Sequence, residues 1–401
     1  MTSNAPLRLG ILGLGAVAQA VHLPLIARRP DLFAVASICD LSDEVMGAIG
    51  DRFGVDRSRR YSTLDDMLDA GGIDALVILS RGSHAKAVLA AFDHLLPVLC
   101  EKPLAYTTAE VDELLERQPD LGHPAVLLGY MKQYDPAVLE ATRILEQIDD
   151  IRSVEATVLH PTGASQLAFA QIVGPTSPLP EAVVTATDAE DRRLWAAAVG
   201  DADESTWRAY RGAMVSSLAH DLSILRSFAS PPATVDHVDI WRQRSSHPAR
   251  DASRDQRSFG EHPPSISAVG SLEAGGRYSL AWHYLPDFPV YRETVRVVHG
   301  HGALELVFPS PYLMNAPTEL TVTTLDGDAE RRVIRRSITE AFETQLEAFF
   351  MMIRGGVEPK SGLVAGRADI LDCQRILASF ADRTGLPVGG EVGRLQAMTP
   401  A

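Results

Sequence analysis

A short apolar run, residues 7–12, leads straight into Gly13-Leu14-Gly15-Ala16-Val17-Ala18, and an amphipathic stretch of helical length begins there. The hexapeptide fits G-x-G-x-x-G/A with Ala18 in the third place, a pattern that belongs to the first strand, turn and helix of a doubly wound parallel sheet. Gly13 makes the tight turn, Gly15 lets the backbone approach a pyrophosphate, and the small Ala18 lets the helix pack on the sheet. The helix start at Ala16 and Val17 then offers unbonded N–H groups and a positive dipole end to phosphates. Asp40 ends the second apolar run, 25 positions beyond Gly15, where an acid meets the diol of an adenosine ribose. A carboxylate there favours NAD and repels the 2′-phosphate of NADP. The plainer reading of Asp40 is a strand-end turn residue. Arg57, Arg59 and Arg60 follow, either to rescue a 2′-phosphate or as a solvated basic loop.

The rest of the first 133 residues keeps this alternation. Strands are expected near 7–12, 33–39, 75–80, 97–100 and 125–129, with helices around 16–27, 43–53, 84–95 and 108–116. After one more helix, 137–147, alternating β-branched segments take over at 152–160, 234–244, 265–272, 277–284, 290–299, 303–308, 319–325 and 331–335. These predict an open, mainly antiparallel sheet. A helix-rich insertion occupies 161–212, the stretch 243–264 is expected to be an exposed loop, and 339–383 is helical, with Gly355-Gly356 as a stop and Pro359 beyond. The expected organisation is a Rossmann-type α/β domain over 1–133 and an α+β domain over 134–401, consistent with a chain of 401 residues.

The charge balance narrows the partners. Lys and Arg total 37 against 52 Asp and Glu, a net −15, which repels nucleic-acid backbones and anionic membrane surfaces but leaves a small-molecule ligand open. Cys39, Cys100 and Cys373 are odd in number and far apart, with neither a disulfide framework nor a zinc-ligand spacing, so buried free thiols and no metal are expected. The start of the chain shows no signal-peptide pattern and no apolar run of membrane-spanning length, which gives a cytoplasmic expectation.

Glu101-Lys102-Pro103 follows the buried strand at 97–100, and a lysine at the C-terminal end of such a strand stands where open α/β sheets bind ligands. A surface lysine in a turn is the alternative. Together with the glycine turn, His22-Leu23-Pro24 and His84, this motif resembles the Gfo/Idh/MocA family of nicotinamide-dependent oxidoreductases, in the same order along the whole chain. The resemblance implies that Glu101 and Lys102 border the cofactor, that Lys102 points into the substrate pocket beside the nicotinamide, and that Pro103 carries a cis or strained bond. It further implies cofactor contacts from Ser80 and His84, a basic substrate-side residue at Lys132 with Tyr130 and Tyr134 nearby, and a homodimer or homotetramer. The segment from Ser80 to His84 stands where the family often has Pro-Asn or a similar pair touching the nicotinamide ring, and Arg81 is unusual there; a bond to a cofactor phosphate or substrate carboxylate and a solvated side chain are both open.

The family's second signature, usually Asp-x-Gly-x-His-x-x-Asp, matches 212–223 here. His220 falls on the catalytic histidine, while Ser216 and Ser223 stand in place of the acids. A residue four before His220 is expected on the same helical face, where an acid would raise the imidazole's basicity and Ser216 offers only a neutral hydrogen bond near the substrate. Asp221, one residue on, is turned about 100° away around an α-helix. A core histidine is the plainer reading of His220. The expected chemistry is hydride transfer between nicotinamide and a sugar, cyclitol or related polyol or keto compound, with His220 as acid/base and Lys102 on the same oxygen. Reduction of another carbonyl or double bond, and a non-catalytic dinucleotide-binding regulator, are the alternatives.

Overall fold

The structure is a computed structural model, and it describes residues 5–242 and 263–398. The predicted loop at 243–264 and the end of the strand predicted over 234–244 lie mainly outside the described residues. The chain forms two compact units: Met1–Met131 with Ala170–Trp195 and Ala341–Ala368, and Lys132–Phe169 with Ala196–Glu340 and Asp369–Ala401.

In the first unit, β1 (Leu7–Leu12), β2 (Phe33–Cys39), β3 (Arg60–Tyr61), β4 (Ala75–Ile78), β5 (Val98–Cys100) and β6 (Val126–Leu128) form one sheet in the order β3-β2-β1-β4-β5-β6. Every neighbouring pair is parallel. Strands covered on both faces must be apolar throughout, and all residues of β4, β5 and β6 are buried. The connecting helices are α1 (Leu23–Arg28), α2 (Asp43–Arg52), α3 (Leu64–Asp69), α4 (Ala85–Asp93) and α5 (Thr108–Arg117). Ser42 caps α2 through the Val45 N–H, and Thr107 with Glu110 makes a reciprocal capping box on α5.

The second unit holds α6 (Pro136–Leu145), β7 (Ile151–His160) and α7 (Gly163–Leu167). The helix α8 (Glu181–Val199) follows, and its residues up to Trp195 belong to the first unit. Next come α9 (Glu204–Arg208), a run of wide π-type turns over Ala209–Leu218, and α10 (Ala219–Phe228). The strands are β8 (His237–Trp241), β9 (Ser265–Ser271), β10 (Arg277–Tyr284), β11 (Arg292–His299), β12 (Gly302–Phe308), β13 (Glu319–Asp326) and β14 (Ala329–Arg336); after them come α11 (Ala341–Gly355) and α12 (Leu363–Thr384), whose residues up to Ala368 belong to the first unit, and α13 (Gly390–Met398). The eight-stranded sheet runs β14-β13-β12-β11-β7-β10-β9-β8; β7 and β10 are parallel and the other pairs antiparallel. Tyr278, Leu280, Trp282 and Tyr284 of β10 are buried in alternation, as one covered face requires.

The expected fold class is borne out: a parallel Rossmann-type sheet followed by a mainly antiparallel open one. The division of the chain differs from a single cut after residue 133, because 170–195 and 341–368 join the first unit. Edge strand β6 explains part of this. Ser361 Oγ and Gln345 Nε2 donate to the Leu128 carbonyl, and the Leu128 N–H donates to Ser361 O at 2.9 Å, so the later segment closes an edge that would otherwise stay open. Phe342 meets the His22 ring edge-on, with centroids 5.4 Å apart. Among the described residues no helix is long and apolar enough to cross a membrane.

Candidate active site

The phosphate-binding turn is built as its residue types require. Gly13 has φ +89°, and a Cβ there would lie 2.6 Å from the Ser80 backbone nitrogen, so both conformation and space exclude a side chain. No atom would meet a Cβ on Gly15 within 4 Å, leaving the helix start at Ala16 and Val17 open in front of it. Asp40 is half-buried at the end of β2: its Oδ2 accepts from the Leu14 N–H at 2.8 Å and its Oδ1 from the Ser42 N–H at 2.9 Å. These bonds fix the carboxylate against the turn while leaving each oxygen a lone pair. Open space at Gly15, helix N–H groups and a positioned acid together fit a dinucleotide. Arg59 is spent on Ser37 Oγ and the Ala36 and Gly71 carbonyls, and Arg60 on Asp51 and the Val55 and Gly47 carbonyls. The basic loop is therefore structural at these two positions.

Glu101 and Lys102 form a corner just past β5. Glu101 is buried, and its Oε1 accepts from His22 Nε2 at 2.9 Å while its Oε2 takes the Lys102 N–H at 3.2 Å. Burial works to raise this carboxyl, yet the bond from His22 and the Lys102 charge bring it below its ordinary value, so it stays ionised. The Lys102–Pro103 peptide is cis. His84, buried before α4, places Nδ1 2.7 Å from the Glu101 carbonyl and Nε2 2.8 Å from the Ser80 carbonyl. Burial pulls its imidazole below the usual range, against those two carbonyls and the Glu101 charge. Thus Glu101 and His84, expected at the cofactor, have these polar atoms committed inside the protein, bracing the ends of β4 and β5 around a half-buried Lys102. Arg81 is exposed.

In the second unit His220 sits at the start of α10, 6% exposed. Ser216 lies in the π-type turns rather than an α-helix, and its hydroxyl donates to the Arg211 carbonyl five residues back. Ser216 and His220 thus lie on either side of the change from π-type to α-helical turns. Ser223 donates to the His220 carbonyl at 2.7 Å. Lys132, expected at the substrate, is buried and ion-paired to Glu293, with its Nζ 5.6 Å from the Phe308 ring centroid.

Glu293 also accepts from Tyr291 Oη at 2.5 Å, and Asp221 completes the cluster. Both Asp221 oxygens are buried with no donor among the described residues. Burial first, then the adjacent Glu293 carboxylate, push Asp221 well above the ordinary carboxylate range. Sequence reasoning missed Tyr291 and Glu293. A signal existed: Glu293 shares the inward parity of Val295 and Val297 on β11, and an acid on the apolar face of an alternating strand needs a partner.

Residues 7–127 match the family model described as the oxidoreductase family with an NAD-binding Rossmann fold, GFO_IDH_MocA. Inositol 2-dehydrogenase of Leifsonia xyli is 34% identical over 136 residues, 34% of this chain and 39% of that protein. The chain thus spans about two fifths of the length of the curated relatives it matches. Among solved structures, aldose-aldose oxidoreductase from Caulobacter crescentus superposes with a TM-score of 0.67 at 18% identity, covering 93% of this chain and 97% of that one. Scyllo-inositol dehydrogenase from Lactobacillus casei gives 0.66 at 16% identity, covering 95% and 98%. At such identities these likenesses speak for the fold of both units. The glycine turn and the Glu101-Lys102-Pro103 corner both fall within the matched residues, so residues 7–127 are similar to the NAD-binding Rossmann domain of the Gfo/Idh/MocA oxidoreductase family.

Proposed function

We propose that the protein is an NAD(P)-dependent dehydrogenase acting on a CH–OH group of a cyclitol or sugar, with NAD preferred because Asp40 faces the ribose diol. The observation that carries this reading is the braced corner: buried His22, Glu101 and His84 hold Lys102 at the C-terminal edge of the sheet, with β4 between it and the phosphate turn. Inositol 2-dehydrogenases among the relatives support a cyclitol. When bound, the nicotinamide accepts or supplies the hydride. Gly13, Gly15, Ala16 and Val17 cradle the pyrophosphate. Lys102 donates a hydrogen bond to the substrate oxygen and stabilises charge developing there. His220 takes the hydroxyl proton in oxidation and returns it in reduction.

Burial of Cys39, Cys100 and Cys373 as free thiols supports a reducing cytoplasm. Homo-oligomerisation through the open sheet is supported by Leu325 and Ile334, 74% and 56% exposed on β13 and β14. The test is a panel of cyclitols, sugars and their keto forms with NAD and NADP, read by the absorbance of the reduced cofactor. On a positive substrate, Lys102→Ala and His220→Ala should each lower kcat by roughly 10²–10⁴ with cofactor affinity nearly unchanged. Near-normal turnover of His220→Ala would remove that residue from the proton transfer.

A further inference from the structure

We propose that residues 170–195 form the outer wall of the dinucleotide site and govern how fast a bound cofactor leaves. The inference rests on the glycine turn being that site. Three polar contacts tie the segment to the first turns of the helices that follow β1, β2 and β4. Gln19, buried just past the glycine turn, accepts from the Val173 N–H at 2.8 Å and donates to the Val173 carbonyl at 2.8 Å, pairing with that peptide on both sides. Glu44, the second residue of α2, takes the Thr176 N–H at 2.7 Å and the Thr176 hydroxyl. Lys86, the second residue of α4, pairs with Glu190 of α8 at 2.8 Å.

β2, β1 and β4 are consecutive in the sheet, so the three anchors stand in a row along its C-terminal edge. The segment touches the β1 position first, crosses to β2, and returns to β4. That edge is where the phosphate turn and the ribose acid already lie, at the switch point of the strand order. The coupling is direct. Asp40 holds the Leu14 N–H, Gln19 Nε2 also donates to the Leu14 carbonyl at 2.7 Å, and Gln19 holds Val173.

Leu194 buries the C-terminal end of the strap, whereas its first residues are open to solvent. Gln171, Val173, Gly174, Thr176 and Ser177 are exposed and Ile172 and Leu179 only half-buried, so polar bonds weigh heavily in the opening of residues 171–180. Pro175, Pro178 and Pro180 stiffen it, which lowers the entropy lost on closing. Lys86 is 73% exposed and the Glu44–Thr176 bonds are exposed as well, so each counts for less than the bonds of buried Gln19.

The experiment measures NADH release from the full-length protein by stopped-flow displacement, following energy transfer from tryptophan, in the wild type and in Glu44→Ala/Thr176→Val. Release should be faster in the variant by about threefold or more, as loss of exposed hydrogen bonds to a carboxylate implies. A release rate within twofold of wild type overturns the proposal. Hydrogen exchange on the wild type needs no variant: amides of 170–180 should slow on NADH addition, and unchanged exchange also overturns it. Failure of the wild type to bind NADH or NADPH would remove the dehydrogenase reading as well, whereas binding with an unmoved release rate removes the strap alone.

Discussion

Glu101 in the first unit and Glu293 in the second are both sealed from water, at 5% and 0% exposure, yet their surroundings differ in kind. Around Glu101 every close group donates: the His22 ring on one oxygen, the Lys102 N–H on the other. Around Glu293 two groups donate, Lys132 and Tyr291, but the third neighbour is another carboxyl, Asp221. Donors alone let a buried acid keep its charge. A second acid in the same space forces one of the two to hold a proton, because a lone cation does not balance two buried anions. Burial is common to both sites, so the identity of the neighbours decides the protonation state.

Three substitutions bear on this contrast. The largest effect is expected from Lys132→Met, which leaves the Glu293 charge buried beside Tyr291 and Asp221 and should cost about 3–5 kcal/mol in urea unfolding. A loss below about 1 kcal/mol would mean that the Lys132–Glu293 pair contributes no more than a surface ion pair. Glu101→Gln should cost less, about 1.5–3 kcal/mol at pH 7, the worth of hydrogen bonds to a charged group. Because the folded state lowers this carboxyl, its contribution is full above the unfolded value of about 4.5 and fades as pH falls through the folded one. Wild type and Glu101→Gln should therefore converge in acid, and a difference independent of pH would show that charge is not what Glu101 contributes.

The smallest effect belongs to Asp221→Asn, which replaces a protonated carboxyl by a neutral amide of similar shape and should change stability by under about 1 kcal/mol near pH 4. The sign then reverses relative to Glu101. A group raised by folding takes up a proton that the unfolded chain releases above about 3.8, so the wild type loses stability as pH rises toward the folded value and Asp221→Asn does not. Unfolding curves at several pH values would reveal the divergence, and parallel pH profiles would refute the shared proton.

How much of this was legible in the sequence varied with the kind of force involved. The parallel strands could be read because strands covered on both faces are uninterrupted apolar runs, as at Ala75–Ile78. Strands of the second sheet could be read from alternation, as at Arg277–Tyr284. Strand β3, Arg60–Tyr61, could not, since two residues carry no period. The π-type turns over Ala209–Leu218 were equally hidden, because a local change of pitch leaves composition untouched. At the candidate site, the glycine turn, Asp40 and Lys102 were marked by motif and strand position. The Gln19–Val173 and Glu44–Thr176 bonds were not, because single polar contacts across more than 100 residues have no periodic signature.

The three thiols also act as clocks for the folded state. Burial pushes Cys39 up to about 12, and Cys100 and Cys373 well above the usual thiol range, so an alkylating reagent finds almost no thiolate while the structure is closed. Two of them end strands β2 and β5 of the first unit and the third lies on α12 in the second. Each modification read by peptide mass thus time-stamps the opening of its own unit, and the order in which the labels arrive ranks the kinetic stability of the two units without any introduced dye.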